Sequence, residues 1–216
     1  MACAICETRR PKRFCPGIAA DICTICCGTE REVTVTCPLD CEFLLEARRH
    51  YKPLPINPEQ LPNRDIRVPE KFLHDHEDLL AFLGQAVGRA ALAAPGAVDL
   101  DVRDALDALI RTYRTLESGV YYDTVPQNPV AADVYRMVQH GIGEFRQAEQ
   151  QQFGATRTRD ADVLGLLVFL QRLELTQNNG RSRGRAFLGA LQGFYAGAGG
   201  SGSEAGASPA STLILP

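Results

Sequence analysis

The spacing of hydrophobic and polar positions divides the chain into a front part without helical periodicity and a longer part that has it. Between residues 70 and 196 apolar side chains recur about every 3.6 positions, which predicts an all-α bundle of about five helices. The first helix is expected over about 70–93. The second follows Asp99 or Asp101 as its N-cap and ends at Ser118-Gly119.

Three further helices follow from the same periodicity. Pro129 suits the first turn of the third helix, and the fourth begins near Thr158 or Asp160. The fourth is apolar almost all round from Val163 to Leu170, too short a run to cross a bilayer, so we expect it at the centre of the bundle. A fifth, shorter amphipathic helix is expected over 187–195, after the turn sequence QNNG.

Two segments lack any such pattern. Residues 53–69 contain five prolines, which excludes a helix and predicts an extended linker. Residues 197–216 are rich in Gly, Ser and Ala, so we expect a disordered tail. The domain organisation is therefore a cysteine-rich module over 1–52, the linker, the bundle over 70–196, and the tail.

The cysteines are confined to the front of the chain. All eight of them lie within the first 41 of 216 residues. They are Cys3, Cys6, Cys15, Cys23, Cys26, Cys27, Cys37 and Cys41. The chain begins with charges and thiols rather than the apolar core of a signal peptide, so we expect a reducing, cytoplasmic location in which clustered cysteines bind metal.

The spacing of the cysteines indicates zinc. Zinc takes four ligands in a tetrahedron, and the short spacings 3/6, 23/26 or 23/27, and 37/41 supply chelating pairs, so eight thiols suit two structural ions. Gly28, directly after Cys27, is a candidate for the left-handed backbone conformation that a metal-binding knuckle often needs after its second ligand. A strand over REVTVTC and a helix with Cys37 at its N-cap and Pro38 in its first turn would complete a treble-clef-like module with little regular structure.

This cysteine series resembles the binuclear zinc modules of the HIT and MYND type. The resemblance implies that Cys3, Cys6, Cys23 and one of Cys26 or Cys27 hold one ion. The remaining thiol of that doublet would hold the other ion with Cys15, Cys37 and Cys41. The order CAICETRRPKRFC, ICCGTEREV and CPLDCEFL ahead of a helical region also resembles a bacterial family that has no assigned activity.

Other arrangements of the thiols stay open. A simpler partition places Cys23, Cys26, Cys37 and Cys41 around one ion and the remaining four around the other, and His50 could replace a ligand in either scheme. A single zinc with spare thiols, or redox or iron–sulfur chemistry, is a further alternative.

Closed sites of four thiolates leave no position for a reactive water, so we expect a structural metal and a function on the surface that it supports. The expected function is protein interaction or scaffolding. Nucleic-acid binding is the runner-up, because basic side chains cluster between Cys6 and Cys15 and after QNNG. The candidate nucleic-acid or anion contacts are Arg9, Arg10, Lys12, Arg13, Arg181, Arg183 and Arg185.

Charge argues against a strongly cationic surface. Residues 1–52 hold eight Lys or Arg against seven Asp or Glu, the whole chain has a formal net charge of −3, and each zinc with four thiolates adds −2.

A metal-dependent enzyme within the bundle is the third hypothesis. It would draw on His74, His76, Glu77 and Asp78 on the first helix and on His140 with Glu144 on the third, although the E-x-x-H pairs of di-metal bundles are absent from the sequence. Neither a nucleophile elbow nor a phosphate-binding glycine loop is present. We therefore expect the protein not to be an enzyme.

Overall fold

A short hairpin and two short helices form the front of the chain in the computed structural model, which describes residues 2–51, 57, 59 and 61–198, with side chains as far as 193. Strands β1 (Arg13–Cys15) and β2 (Ala20–Ile22) are antiparallel, and Arg13 lies opposite Ile22. Helices α1 (Thr24–Glu30) and α2 (Glu42–Arg48) follow. Buried cysteines together with Ile22, Val35 and Leu44 form the small core of this module.

The strand expected over REVTVTC and the helix expected from Cys37 are both wrong. The backbone N–H groups of Val33, Thr34 and Val35 all donate to the carbonyl of Glu30, so this segment turns around the end of α1 instead of extending. Helix α2 starts only at Glu42, after Cys41 as its N-cap. Cys37 therefore lies outside the helix, and the treble-clef assignment stays a prediction.

Six helices form the rest of the described chain. They are α3 (Glu70–Asp75), α4 (Glu77–Ala93), α5 (Asp99–Glu117), α6 (Pro129–Phe153), α7 (Asp160–Gln177) and α8 (Ala186–Ala198). The five expected helices are present, but the first is divided at His76, whose backbone leaves the helical region. The His76 ring contacts the carbonyl of Phe72 at 2.9 Å and the carboxylate of Asp162 at 3.4 Å. Because Asp162 belongs to α7, these contacts hold the break between α3 and α4 against α7.

Helix α7 is the centre of the bundle, as its all-round apolar sequence predicts. Every residue from Val163 to Leu170 is buried. Helices α4, α5 and α8 pack around α7, and α6 packs on α4 and α5. Among the residues that the structure describes, no helix combines the length and the apolar character that a bilayer requires.

The two acidic candidates for the N-cap of the second helix have different roles. Asp99 and Asp101 are both inside α5, and Val98 is the N-cap. Asp101 accepts a hydrogen bond from the Val98 backbone N–H at 2.9 Å, so it stabilises the start of its own helix. Asp99 instead accepts from the backbone N–H groups of Phe187 and Leu188 in the first turn of α8. One aspartate thus caps a helix that begins 87 positions further along the chain.

The described end of the linker lies on the bundle. Arg172 donates to the carbonyl oxygens of Asn63 and Ile66, and Arg114 donates to Asn63 and Asp65. Residue 52 of the expected module and residues 53–56, 58 and 60 of the expected linker lie outside the described residues. Helix α8 extends to Ala198, beyond the expected start of the tail at 197, and residues 199–216 lie outside the described residues as well.

Candidate metal centre

Cys3 and Cys6 lie on a tight turn at the start of the module. The Glu7 backbone N–H donates to the Cys3 carbonyl at 2.8 Å, and Glu7 has a positive φ of 54°. A left-handed residue directly after the second cysteine is the geometry expected of a knuckle, but it occurs here and not at Gly28. Gly28 lies inside α1 and is not among the positive-φ glycines.

Cys23 and Cys26 approach this turn from the start of α1. Cys23 is the N-cap of α1, and its sulfur accepts a hydrogen bond from the Cys26 backbone N–H at 3.4 Å. The Cys23 backbone N–H donates to the Cys3 sulfur at 3.2 Å and so ties the helix to the turn. Backbone N–H groups that point at sulfur stabilise negative charge there, as a thiolate ligand requires.

The four sulfurs of Cys3, Cys6, Cys23 and Cys26 all lie within 4.8 Å of one another, and all eight cysteines are free of disulfides. A tetrahedral ion with sulfur at about 2.3 Å separates its ligands by about 3.8 Å, so this group fits one metal ion after small adjustments. The sequence left open whether Cys26 or Cys27 joins these thiols, and the structure brings Cys26 to them.

The same group shows opposite shifts in thiol acidity. Hydrogen bonds from the side chain and backbone of Thr8 and from the backbone of Arg9 lower the pKa of Cys6 to about 5. Burial raises the pKa of Cys26 to about 12. A bound dication deprotonates its thiol ligands outright, so it would remove the proton of Cys26 as well as that of the more acidic Cys6.

The other four cysteines, Cys15, Cys27, Cys37 and Cys41, line one small cavity of about 20 Å³, which Cys26 also borders. Burial, together with the charges of Glu32, Cys41 and Cys15, raises the pKa of Cys37. The Cys27 sulfur lies 3.6 Å from Arg13 Nη1 and 3.7 Å from Arg31 Nη2, which both donate to it. The simpler partition, with Cys23 and Cys26 beside Cys37 and Cys41, does not match the close approach of Cys23 and Cys26 to Cys3 and Cys6.

The basic residues between Cys6 and Cys15 do not form one free patch. Arg13 donates to Cys27 and lies 3.9 Å from the ring centroid of Phe43. A hydrogen bond to Cys23 raises the pKa of Arg9. Arg10 and Lys12 are exposed. Arg9 and Arg13 thus compensate thiolate charge within the module, whereas Arg10 and Lys12 do not take part.

Glu32 joins the module to the bundle, although its position in the sequence does not indicate this role. The Glu32 side chain is completely buried, and the Glu32 backbone has a positive φ of 54°. The carboxylate accepts from Arg48 Nη2 at 3.1 Å, Asn179 Nδ2 at 2.7 Å and the Arg185 backbone N–H at 3.1 Å. No residue pattern marks this role, because one glutamate in a charged run has the sequence signature of a solvent-exposed residue.

The three arginines after QNNG lie in this contact between module and bundle. Arg181 donates to the carbonyl of Arg31, and Arg183 donates to the hydroxyl of Thr36 at 2.9 Å. Burial lowers the pKa of Arg185. The loop that follows α7 is therefore a docking segment for the cysteine module.

The histidines of the enzyme hypothesis do not converge with one another. His76 is held by Phe72 and Asp162, whereas His140 is three-quarters exposed and pairs with Glu144 on its own helix. His50 pairs with Glu46 on the module surface. In the described part of the chain, the cysteines at 3, 6, 23 and 26 form the group in which three or more ligand atoms approach closely enough for a metal.

Comparisons with protein families, with curated proteins and with solved structures give no match to this chain. The resemblance to the HIT and MYND modules and to a bacterial family therefore stays a prediction.

Proposed function

We propose that the protein is a macromolecular interaction protein, in which two structural zinc ions shape the cysteine module and a protein partner binds to its surface. The first ion is assigned to Cys3, Cys6, Cys23 and Cys26. The close approach of these four sulfurs is the observation that carries the proposal. Four thiolate ligands favour zinc, and a site in which they take all four positions of a tetrahedral ion leaves none for a reactive water, so the proposed metal has a structural role.

The second ion is assigned to Cys15, Cys27, Cys37 and Cys41. Two observations support it. The cavity that these residues share has about the volume of one small ion or one water, and two guanidinium groups donate to the Cys27 sulfur. Zinc with four thiolates carries a formal −2 charge, so Arg13 and Arg31 are suitably placed to compensate it. This interleaving of pairs is the arrangement that the resemblance to the HIT and MYND modules implies.

The proposed partner surface is an apolar patch beside the second cysteine group, made of Phe14, Pro16 and Phe43. All three line the cavity next to the cysteines, and Phe14 is 58% exposed. Exposed aromatic side chains on a rigid support are typical anchors of protein interfaces. The partner is expected to contribute an apolar side chain that packs on the exposed Phe14 ring.

Photo-crosslinking in cells tests this proposal. Benzoylphenylalanine in place of Phe14 should yield one discrete protein adduct, and the same group in place of the exposed Asp40 should not. With the purified partner, Phe14→Ser should weaken binding at least tenfold, which corresponds to about 1.4 kcal/mol. Identical adducts at both positions, or no adduct at position 14, would contradict the proposal. An adduct with RNA, together with steeply salt-dependent binding, would favour the nucleic-acid alternative.

A further inference from the structure

The docking segment between α7 and α8, residues 179–185, is bonded mainly to the cysteine module. Its sequence NGRSRGR has no apolar residue other than glycine, so hydrophobic burial contributes little to its position. The Arg183 backbone N–H donates to the Glu32 carbonyl at 2.8 Å, and the Arg185 backbone N–H donates to the Glu32 carboxylate at 3.1 Å. Further bonds to the module come from the side chains of Asn179, Arg181, Ser182 and Arg183.

The bundle holds the same segment with fewer bonds. Within the described residues, one hydrogen bond joins the segment to helices α3–α7, from the Asp99 backbone N–H to the Gly184 carbonyl at 2.8 Å. The conformation of the docking segment therefore depends on the module, although in sequence the segment belongs to the bundle.

The module also contributes to the start of α8. Arg48 donates to the carbonyl of Arg185 at 2.9 Å, and the same carbonyl accepts from the backbone N–H of Gly189 in the first turn of α8. Arg48 Nη1 occupies the space that a Cβ at position 189 would take. One arginine of the module thus packs directly on the first turn of α8.

Helix α8 has little stability of its own. It has 13 residues, and an isolated helix shorter than about 12–15 residues is marginal in water. Gly189 and Gly193 weaken it further, because glycine loses more backbone entropy in a helix than other residues do. Phe187, Leu188 and Leu191 pack against the core of the bundle. Helix α8 therefore depends on this packing and on a first turn that is held in place.

We propose that the cysteine module is a metal-dependent latch on α8. While its metal ions are bound, the module holds the docking segment; when they leave, the segment and the first turns of α8 are released. The proposal rests on the metal ions of the proposed function, because a module with so small an apolar core needs them to keep its shape. Release exposes Phe187 and Leu188 and frees the three arginines of the docking segment. Metal occupancy thereby controls which surface the protein presents.

Hydrogen exchange of the full-length protein, resolved by residue with NMR before and after zinc removal by a chelator, tests the latch. After removal, the Arg183 and Arg185 amides should exchange at least tenfold faster, because both donate to Glu32. The Phe187 amide in the first turn of α8 should also exchange at least tenfold faster. The Leu109 amide in α5 should change less than twofold, because α5 packs on α6 and α7 without the module.

Gly189→Ala and Gly193→Ala form a matched pair in the metal-loaded protein. Both gain the same helix propensity, but a Cβ at 189 overlaps Arg48, whereas one at 193 meets none of the described residues within 4 Å. The Arg48 side chain is only 17% exposed, so its displacement breaks its bonds to Glu32 and Arg185. Gly189→Ala should therefore speed exchange of the Arg185 amide about fivefold, or about 1 kcal/mol, with an unchanged zinc content. Gly193→Ala should not speed it.

Three results would overturn the latch. They are amides of Arg183 and Arg185 that stay protected after the zinc has left, an equal acceleration at Leu109, and equal exchange of the Arg185 amide in the two glycine variants. The metal content of the same samples separates this proposal from the proposed function. A chain that binds no metal contradicts the proposed function as well, whereas a chain that releases its zinc without any change at Arg185 contradicts the latch alone.

Discussion

Glu32 in the cysteine module accepts a hydrogen bond of 2.7 Å from the side-chain amide of Asn179 in the bundle, although 147 positions separate them in the chain. The same carboxylate also accepts from Arg48 and from the Arg185 backbone. Because the carboxylate has no exposure to solvent, these donors replace all of its hydration. The module and the bundle are thus joined by a buried charge that only the docked arrangement satisfies.

Glu32→Gln should destabilise the protein by about 3 kcal/mol. The change leaves the largely buried guanidinium of Arg48 without its carboxylate, and breaking such a pair from one side costs more than the intact pair contributes. Glu46→Gln, on the exposed pair with Arg49, is the matched control and should change stability by less than about 1 kcal/mol. Urea unfolding measures both, and equal effects would show that Glu32 does not join the two parts.

Gly17→Ala should disturb the second cysteine group specifically. A Cβ at 17 would lie 2.7 Å from Val35 Cγ1 and 2.8 Å from the carbonyl oxygen of Thr36, so the segment leading to Cys37 must move. We expect a loss of stability of about 1–3 kcal/mol and faster release of one zinc ion to a chelator. Zinc release monitored with a chromogenic chelator reports the effect.

The control for that prediction is Gly28→Ala in the same module. A Cβ there meets nothing within 4 Å, and the residue lies inside α1. The replacement should stabilise the protein by about 0.5–1 kcal/mol. Unchanged zinc release in Gly17→Ala would show that Gly17 does not control the position of Cys37.

The helices of the bundle were predictable because each follows from a local pattern. The all-round apolar run of α7 predicted its central place, and Pro129 marked the start of α6, where the structure adds Asn128 as the N-cap. The break at His76 was not predictable, because it depends on Asp162, which lies 86 positions further along the chain.

The cysteine module was predictable in composition but not in conformation. Spacing suggested the pairs, yet it could not decide whether Cys26 or Cys27 faces Cys3, since that depends on the rotation of α1. The sequence REVTVTC alternates as a strand does, but three backbone N–H groups converge on the Glu30 carbonyl and turn it. Glu32 was missed because burial of a lone carboxylate arises only from tertiary contacts.

Asp99→Asn should alter the pH dependence of stability between pH 4 and pH 6. Burial raises the pKa of Asp99 to about 6 in the folded protein, above the value of about 4 for an unfolded chain. The folded state therefore binds the proton more tightly, so stability from this group is present below pH 4 and is lost as the pH rises through 6.

The difference in unfolding free energy between the natural chain and Asp99→Asn measures this contribution. Between pH 4 and pH 7 the natural chain should lose about 2–3 kcal/mol of unfolding free energy relative to Asp99→Asn. Subtraction removes the titration of the thiols, which both proteins share. A difference that does not change with pH would contradict the role of burial at Asp99.

The metal content of the purified full-length protein tests the central claim, that metal ions held by two separate thiolate groups shape the front of the chain. Elemental analysis should find two zinc ions per chain in the natural protein and one ion in both Cys26→Ser and Cys15→Ser, which each remove a thiol from a different one of the two proposed groups. One ion in the natural protein, or an unchanged count after Cys15→Ser, would contradict the assignment of the second group.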